Sequence, residues 1–158
     1  MSVQTGTSVS RAVVVGAPIE RAFAAFVEGI GHWWPADHHI GTVDFVDVTI
    51  EPRVGGRWYE CGADGSECDW GRVLAWEPPR HLALSWHLDG SFVYDPDPQR
   101  ASRVEVTFAA LADSLTRLTL VHSELDRHGG DWPRLLDGIA SPNGWSGVLS
   151  RYARTLPG

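Results

Sequence analysis

Residues 55–79 of the chain, GGRWYECGADGSECDWGRVLAWEPP, contain two runs in which apolar and polar side chains alternate around Asp64 and Gly65. Alternation with a period of two is typical of a β-strand that buries one face. An Asp-Gly pair between two such runs indicates a tight hairpin turn. The stretch therefore predicts an antiparallel hairpin in the middle of the chain, with tryptophans on its strands.

Strands with the same alternation are predicted on both sides of this hairpin. They lie in residues 10–18 (SRAVVVGAP), 42–52 (TVDFVDVTIEP), 80–88 (RHLALSWHL), 103–111 (RVEVTFAAL) and 116–125 (TRLTLVHSEL). In the last run Leu118, Leu120 and His122 fall on one face, because side chains two apart along a strand point the same way. With the hairpin, these runs predict a sheet of six or seven strands.

Helical spacing is found near the two ends of the chain. Residues 18–29, PIERAFAAFVEG, predict a helix after the first strand, and a second short helix follows it. Near the other end, a short helix is predicted around residues 132–139, and a longer one begins at Ser141 and Pro142, which suit a helix start. The apolar residues of this C-terminal helix recur at helical spacing: Trp145, Val148, Leu149, Tyr152 and Leu156.

The order of these elements predicts the fold class. Consecutive strands, in place of alternating strand–helix units, indicate an α+β protein with an antiparallel sheet. The C-terminal helix is the predicted element long enough to cover the apolar face of that sheet. Because the sheet must curl around the helix, we expect a cavity between them.

Composition limits the classes of function. The chain has 158 residues and a net charge of -7, which argues against a nucleic acid or an anionic membrane surface as partner. The sequence has neither a membrane-spanning run nor a secretory signal, so we expect no membrane insertion and a cytoplasmic location. We expect residues 1–9 to be a flexible tail and residues 10–158 to form a single domain.

Several motifs, in this order, resemble the bacterial homologues of the activator of the heat-shock protein 90 ATPase, within the START-like or SRPBCC superfamily. The motifs are GAPIERAFAAF, GHWWP with HHIG, IEPRVGGRWYE, DGSECDWGRVLAWEPPRHLALSW, LTLVHSEL and GWSGVLSRYARTL. The resemblance covers about residues 10–156. It implies a helix-grip fold, in which a curved antiparallel sheet wraps around a long C-terminal helix and encloses a cavity. It also implies a cavity for lipids, polyketides or other apolar molecules, with cyclases and hydrolases among the members.

Residues 31–41, GHWWPADHHIG, contain plausible metal ligands in Asp37, His38 and His39, with His32 nearby. Their spacing matches no known ligand frame, so we predict neither a metal nor a cofactor. We expect the tryptophans of this stretch to close one end of the core and the adjacent histidines to lie at the cavity mouth.

The two cysteines of the hairpin, Cys61 and Cys68, are predicted to face each other across a two-residue turn at Asp64 and Gly65. In that register they would form a hydrogen-bonded pair, whose backbone separation suits a disulfide poorly. We therefore expect two reduced thiols.

Three hypotheses for the function follow. The first is a non-catalytic protein that binds a small apolar or amphipathic ligand in the cavity. The second is a cyclase, dehydratase or hydrolase with His122 as acid or base, assisted by Glu124 or by the histidines of residues 31–41. The third is a module that contacts a chaperone. The residues predicted to bind the ligand are Trp33, Trp34, Trp86, His122, Trp145, Leu149 and Tyr152.

Overall fold

The structure, a computed structural model, describes residues 8–34, 45–91, 93–142 and 144–156. Its strands are β1 (Val9–Val15), β2 (Phe45–Ile50), β3 (Arg57–Gly62), β4 (Glu67–Glu77), β5 (His81–Trp86), β6 (Ser102–Ala112) and β7 (Leu115–Ser123). Its α-helices are α1 (Ile19–Val27), α2 (Ile30–Trp33), α3 (Trp132–Ala140) and α4 (Trp145–Arg154). Short 3-10 helices cover Pro98–Arg100 and Leu125–His128.

The seven strands form one antiparallel sheet in the order β1-β7-β6-β5-β4-β3-β2. The sheet curls into a half-barrel whose concave face carries the alternate apolar residues of each strand. The predicted α+β helix-grip fold and its antiparallel sheet are confirmed. Because β1 begins at Val9, that residue belongs to the sheet, whereas residues 1–7 of the predicted tail lie outside the described residues.

Helix α4 lies against the sheet with one buried face and is fastened at several points. The Tyr152 hydroxyl donates to the Ala22 carbonyl oxygen of α1 at 2.7 Å. The Arg151 Nε donates to the Trp33 carbonyl oxygen at 2.9 Å, which ties α4 to α2. Hydrogen bonds thus hold the three helices together over the concave face. Within the described ranges, no helix combines the length and apolarity needed to cross a membrane.

The predicted start of the C-terminal helix at Ser141 is wrong, because Ser141 ends the preceding helix. Its backbone N–H and its hydroxyl both donate to the Gly138 carbonyl oxygen, at 3.3 and 2.7 Å, and thereby cap the C-terminus of α3. Helix α4 starts four residues later, at Trp145.

The hairpin of β3 and β4 lies where it was predicted, but its register differs by one residue. The Gly62 N–H donates to the Ser66 carbonyl oxygen at 2.8 Å, so the loop has three residues, and Gly65 at its end has φ +85°. A three-residue loop that ends in a left-handed glycine is a common alternative to the two-residue turn. As a result Cys61 lies opposite Glu67, and Cys68 lies opposite Glu60.

Candidate functional site

Five tryptophans fill the space between the sheet and α4, where a cavity was predicted; we call Trp34, Trp58, Trp70, Trp86 and Trp145 the indole cluster. Each has at most 4% of its surface exposed. Their ring centroids lie 5.1–6.2 Å apart in the seven contacting pairs, mostly edge to face. That geometry suits the quadrupoles of aromatic rings and adds stability beyond the burial of area.

The backbone of β3 and β4 explains how two neighbouring strands both send indoles inward. Tyr59 lies opposite Asp69 and Trp58 opposite Gly71, so Trp70 is an extra residue in β4, a β-bulge. The next residue must be glycine, since a Cβ on Gly71 would collide with the Ser85 carbonyl oxygen of β5. The bulge therefore turns Trp70 toward Trp58, at a centroid distance of 5.6 Å.

The indole N–H groups of this region have different partners. Trp70 donates to Glu60 at 2.8 Å, a carboxylate that is itself 1% exposed, and Trp86 donates to the Leu88 carbonyl oxygen at 2.9 Å. The Nε1 atom of Trp58 is buried and finds no acceptor among the described residues. A buried donor without a partner costs about 1–3 kcal/mol, so Trp58 is poised to bind an acceptor.

A buried polar chain runs beside the indole cluster through Trp145, His122, Ser102 and His128. Trp145 Nε1 donates to His122 Nδ1 at 3.1 Å, and His122 Nε2 lies 2.7 Å from the Ser102 hydroxyl. The same hydroxyl lies 2.7 Å from His128 Nε2, which also accepts from the Ser102 backbone N–H at 3.2 Å. All four side chains are at least 96% buried.

The hydrogen-bond partners determine which nitrogen of each histidine in this buried polar chain carries the proton. Because an indole nitrogen can only donate, His122 Nδ1 accepts and its proton sits on Nε2, from which it is donated to Ser102. The Ser102 hydroxyl then donates to His128 Nε2, and His128 carries its proton on Nδ1. That last N–H is buried and has no acceptor among the described residues.

Burial keeps both histidines neutral. It lowers the pKa of His122 to about 3, with a smaller effect in the same direction from His128. Burial also lowers the pKa of His128, although the carboxylates of Asp89 and Asp131 act in the opposite direction. The protonated form is therefore easier to reach at His128, near these two carboxylates, than at His122.

Secondary structure explains how these residues meet. Val104 of β6 lies opposite His122 of β7, and Ser102 is the next inward position on β6. After β7 the chain turns back through Glu124, with φ 60°, and the 3-10 helix returns His128 over the strand ends. Glu124 itself is exposed and pairs with Arg127 at 2.7 Å, so the predicted partnership between Glu124 and His122 is wrong.

Of the residues predicted to bind a ligand, the structure brings Trp34, Trp86, His122 and Trp145 into one cluster. The ring of His122 lies 5.0 Å from that of Trp86. Trp33 and Tyr152 lie in a second aromatic group with Phe26, at centroid distances of 5.0–5.5 Å, and the Trp33 ring also lies 6.1 Å from that of Trp34. Leu149 is buried on α4, at 2% exposure.

The structure describes only the first part of residues 31–41, so only some of the predictions for this stretch can be compared with it. His32 is exposed at the end of α2. Asp37, His38 and His39 lie outside the described residues, so the place of the two histidines at a cavity mouth stays a prediction. In the part of the chain that the structure describes, no three His, Cys, Asp or Glu side chains form a group that could hold a metal.

The predicted face-to-face pair of Cys61 and Cys68 is wrong, because the three-residue loop shifts the register. Both cysteines are free thiols, which agrees with the expectation of reduced cysteines. Burial raises the pKa of each thiol, and nearby carboxylates, led by Glu67 at Cys61 and by Glu60 at Cys68, act in the same direction. Thiols in such surroundings are poor nucleophiles.

Sequence reasoning missed Ser102, His128 and the unpaired N–H of Trp58. Ser102 stands one residue before the predicted strand, where alternation would have placed it on the inner face. His128 follows β7 in a segment without a periodic pattern, so the sequence offered no signal for its return.

Comparisons with known proteins give relatives of the same architecture. A model of the activator of Hsp90 ATPase homolog 1-like proteins matches residues 16–151. The solved structure of the anthrahydroquino-γ-pyrone synthase Txn09 is 36% identical, with 97% of this chain and 100% of that chain covered and a TM-score of 0.67. The self-sacrificing resistance protein CalC from Micromonospora echinospora is 28% identical, with 95% and 94% covered and a TM-score of 0.65. No curated protein sequence matches the chain.

The matched residues begin directly after β1 and end within α4. They include the whole indole cluster and every residue of the buried polar chain. With the helix-grip architecture and the match over most of its length, the chain belongs to the family of activator of Hsp90 ATPase homolog 1-like proteins, within the SRPBCC superfamily.

Proposed function

We propose that this protein binds a small, planar, largely apolar molecule between the sheet and α4, at the indole cluster. The observation that carries the proposal is the cluster itself, with five buried indoles and an unpaired N–H on Trp58. Aromatic walls with a few well-placed polar groups are typical of ligand sites. A carbonyl or ether oxygen of the ligand would accept from Trp58 and satisfy this buried donor.

The relatives favour a polycyclic aromatic ligand of the polyketide kind. The name of the synthase that is 36% identical describes a fused aromatic product with a pyrone ring. Such a molecule is flat, apolar on both faces and edged with oxygen acceptors, which matches indole faces and a single N–H donor. Contact with a chaperone is a separate prediction that these observations leave untested.

Within the cluster, Trp34 is the side chain that such a ligand would replace. The other four indoles stand on β3, β4, β5 and α4, whereas Trp34 directly follows the four-residue helix α2. Its ring meets those of Trp58, Trp70 and Trp145 edge to face, at 6.2, 5.1 and 6.1 Å. A planar ligand can reproduce these contacts, so Trp34 acts as an internal substitute for the ligand.

The test is a titration of tryptophan fluorescence with alizarin, a planar anthraquinone, and with laurate as an aliphatic comparison. We expect saturable quenching by alizarin. Displacing Trp34 breaks three edge-to-face contacts of roughly 0.5–1.5 kcal/mol each, so Trp34→Ala should raise the affinity by about tenfold or more. The matched control is Trp76→Ala, since Trp76 of β4 packs on Phe23 outside the indole cluster.

The absence of saturable quenching in both the natural protein and Trp34→Ala would count against the proposal. Equal affinities of Trp34→Ala and Trp76→Ala would show that Trp34 does not occupy the ligand site. Tighter binding of laurate than of alizarin would favour an aliphatic ligand over a polycyclic aromatic one.

Acid–base catalysis at His122 is a second candidate function, and one observation favours it. The ring of His122 lies against Trp86 at 5.0 Å, and its far nitrogen is linked through Ser102 to a second histidine. A ligand at the indole cluster would therefore lie beside a base that can pass a proton onward.

A further inference from the structure

The hydrogen bond between Trp145 Nε1 and His122 Nδ1 joins the indole cluster to the buried polar chain. At 3.1 Å it pairs one obligatory donor with one acceptor, between rings whose centroids are 6.0 Å apart. A hydroxyl group can both accept and donate, so it can enter between these two atoms and replace one hydrogen bond by two. An ether or a ketone can accept but cannot donate, and a hydrocarbon edge can do neither.

We propose that the protein selects ligands with a phenolic or enolic hydroxyl, which inserts between Trp145 and His122, and that His122, Ser102 and His128 relay its proton to His128. This inference rests on the proposed function, because the ligand must first bind at the indole cluster. It adds the chemical group that is recognised and the fate of its proton.

The relay transfers one proton in total, and for each bond to hydrogen that breaks another one forms. The ligand O–H bond breaks, and its proton forms the Nδ1–H bond of His122 while the electron pair stays on the ligand oxygen. The Nε2–H proton of His122 passes to the Ser102 oxygen over 2.7 Å, and the Ser102 hydroxyl proton passes to His128 Nε2 over 2.7 Å. The products are a ligand oxyanion, neutral His122 in its other tautomer and a His128 imidazolium.

The surroundings make His128 the end of the relay. His122 is fully buried, its pKa is lowered to about 3, and no carboxylate acts to raise it, so it does not retain a positive charge. Asp89 and Asp131 favour a charge on His128, while His87 and Arg100 oppose it. The ligand oxyanion left behind keeps the Trp145 N–H as its donor, and a hydrogen bond to a charged acceptor is stronger than one to a neutral acceptor.

The unpaired Nδ1–H group of His128 is consistent with this relay. In the neutral ring, Nδ1–H is buried and has no acceptor among the described residues. A purely structural histidine would be expected to have a partner at this atom. In the relay Nε2 receives the second proton, so the Ser102 backbone N–H gives up its hydrogen bond to this nitrogen while the ring is charged.

The test uses 7-hydroxycoumarin, a planar phenol whose ionised form absorbs at longer wavelength, at a pH at which the free probe is neutral. Its methyl ether, 7-methoxycoumarin, has the same ring system and no proton to lose. Tryptophan quenching reports binding of either probe, and absorbance reports ionisation of the first. In the natural protein we expect both probes to bind, 7-hydroxycoumarin more tightly than its methyl ether, and the bound hydroxycoumarin to show the absorbance of the ionised form.

The deciding variant is His128→Gln, whose amide oxygen can still accept from Ser102 but cannot hold the proton. We expect it to bind 7-hydroxycoumarin more weakly than the natural protein does, because ionisation no longer contributes to binding, and to lose the absorbance of the ionised form. Ser102→Ala should lose it as well, and Ser102→Thr, which keeps the hydroxyl, should restore it. His81→Gln is the matched control, since His81 lies on the outer side of the sheet between Glu77 and Glu105.

The outcomes separate the two proposals. Hydroxycoumarin that binds but stays neutral in the natural protein would overturn the relay and leave the binding function standing. Ionisation that persists in both His128→Gln and Ser102→Ala would also overturn it. Failure of both coumarins to quench would overturn the binding function for planar aromatics and the relay with it. If either His128→Gln or Ser102→Ala does not fold, the absorbance of hydroxycoumarin bound to the other variant still tests the relay.

Discussion

The buried histidine of β7 should make the protein sensitive to mild acid, and the variant His122→Asn tests this. In the folded chain the ring is neutral, because burial lowers the pKa of His122 to about 3 from a usual value of 6.5. Asparagine places an oxygen near the position of Nδ1, so it can still accept from Trp145, but it does not titrate in this range.

Proton linkage gives the direction and the size of the change in unfolding free energy with pH. Between about pH 6.5 and pH 3 the unfolded chain binds a proton on this histidine and the folded chain does not, so the free energy of unfolding falls as the pH is lowered. Each pH unit in this window corresponds to about 1.4 kcal/mol, so His122 should lower stability by about 2 kcal/mol between about pH 7 and about pH 5.

The assay is urea unfolding of the natural protein and of His122→Asn at several pH values across this range. The variant loses ring volume and will be less stable at neutral pH, so the quantity to compare is the change of the unfolding free energy with pH. We expect the variant to lack about 2 kcal/mol of the decrease. An identical decrease in the natural protein and His122→Asn would refute this reasoning.

Two further predictions concern other contacts. Tyr152→Phe should lower the free energy of unfolding by about 1 kcal/mol, since it removes the 2.7 Å hydrogen bond to Ala22 that ties α4 to α1. The shift should appear in the urea midpoint without a change in slope, and an unchanged midpoint would contradict it. Cys61 and Cys68 should react with iodoacetamide more slowly than free cysteine at neutral pH, because their raised pKa values leave less thiolate. Mass spectrometry of timed samples measures the rates, and labelling as fast as that of free cysteine would disprove the prediction.

Most of the fold could be predicted from sequence, because the signals that determine it are local. Alternation with a period of two located the seven strands, and helical spacing located α1, α3 and α4. What failed was one residue of register in the β3–β4 hairpin and the start of α4. Both depend on which backbone groups are already hydrogen-bonded, as with the Ser141 hydroxyl and Gly138, and a residue pattern does not contain that information.

The sequence predicted those residues of the candidate site whose side-chain direction follows from their position in a strand or helix. Strand alternation placed Trp86 and His122 on the inner face, and helical spacing placed Trp145 opposite them; the structure brings these three together. Ser102 and His128 depend on the path of the chain after β7, across the strand ends. That path is set by tertiary packing, so no local pattern indicates a second histidine on the same hydroxyl.

The pairing of β1 with β7 has a consequence for how the protein folds. Val9 lies opposite His122, so the ribosome makes the two partners of this edge about a hundred residues apart. Contacts at such separations are slow to form, because a long loop must close before they contribute to stability. Until β7 emerges, β1 has no partner strand, and the concave aromatic face lacks α4 as its cover. Closure of this edge of the sheet should therefore be a late step, which follows the synthesis of β7.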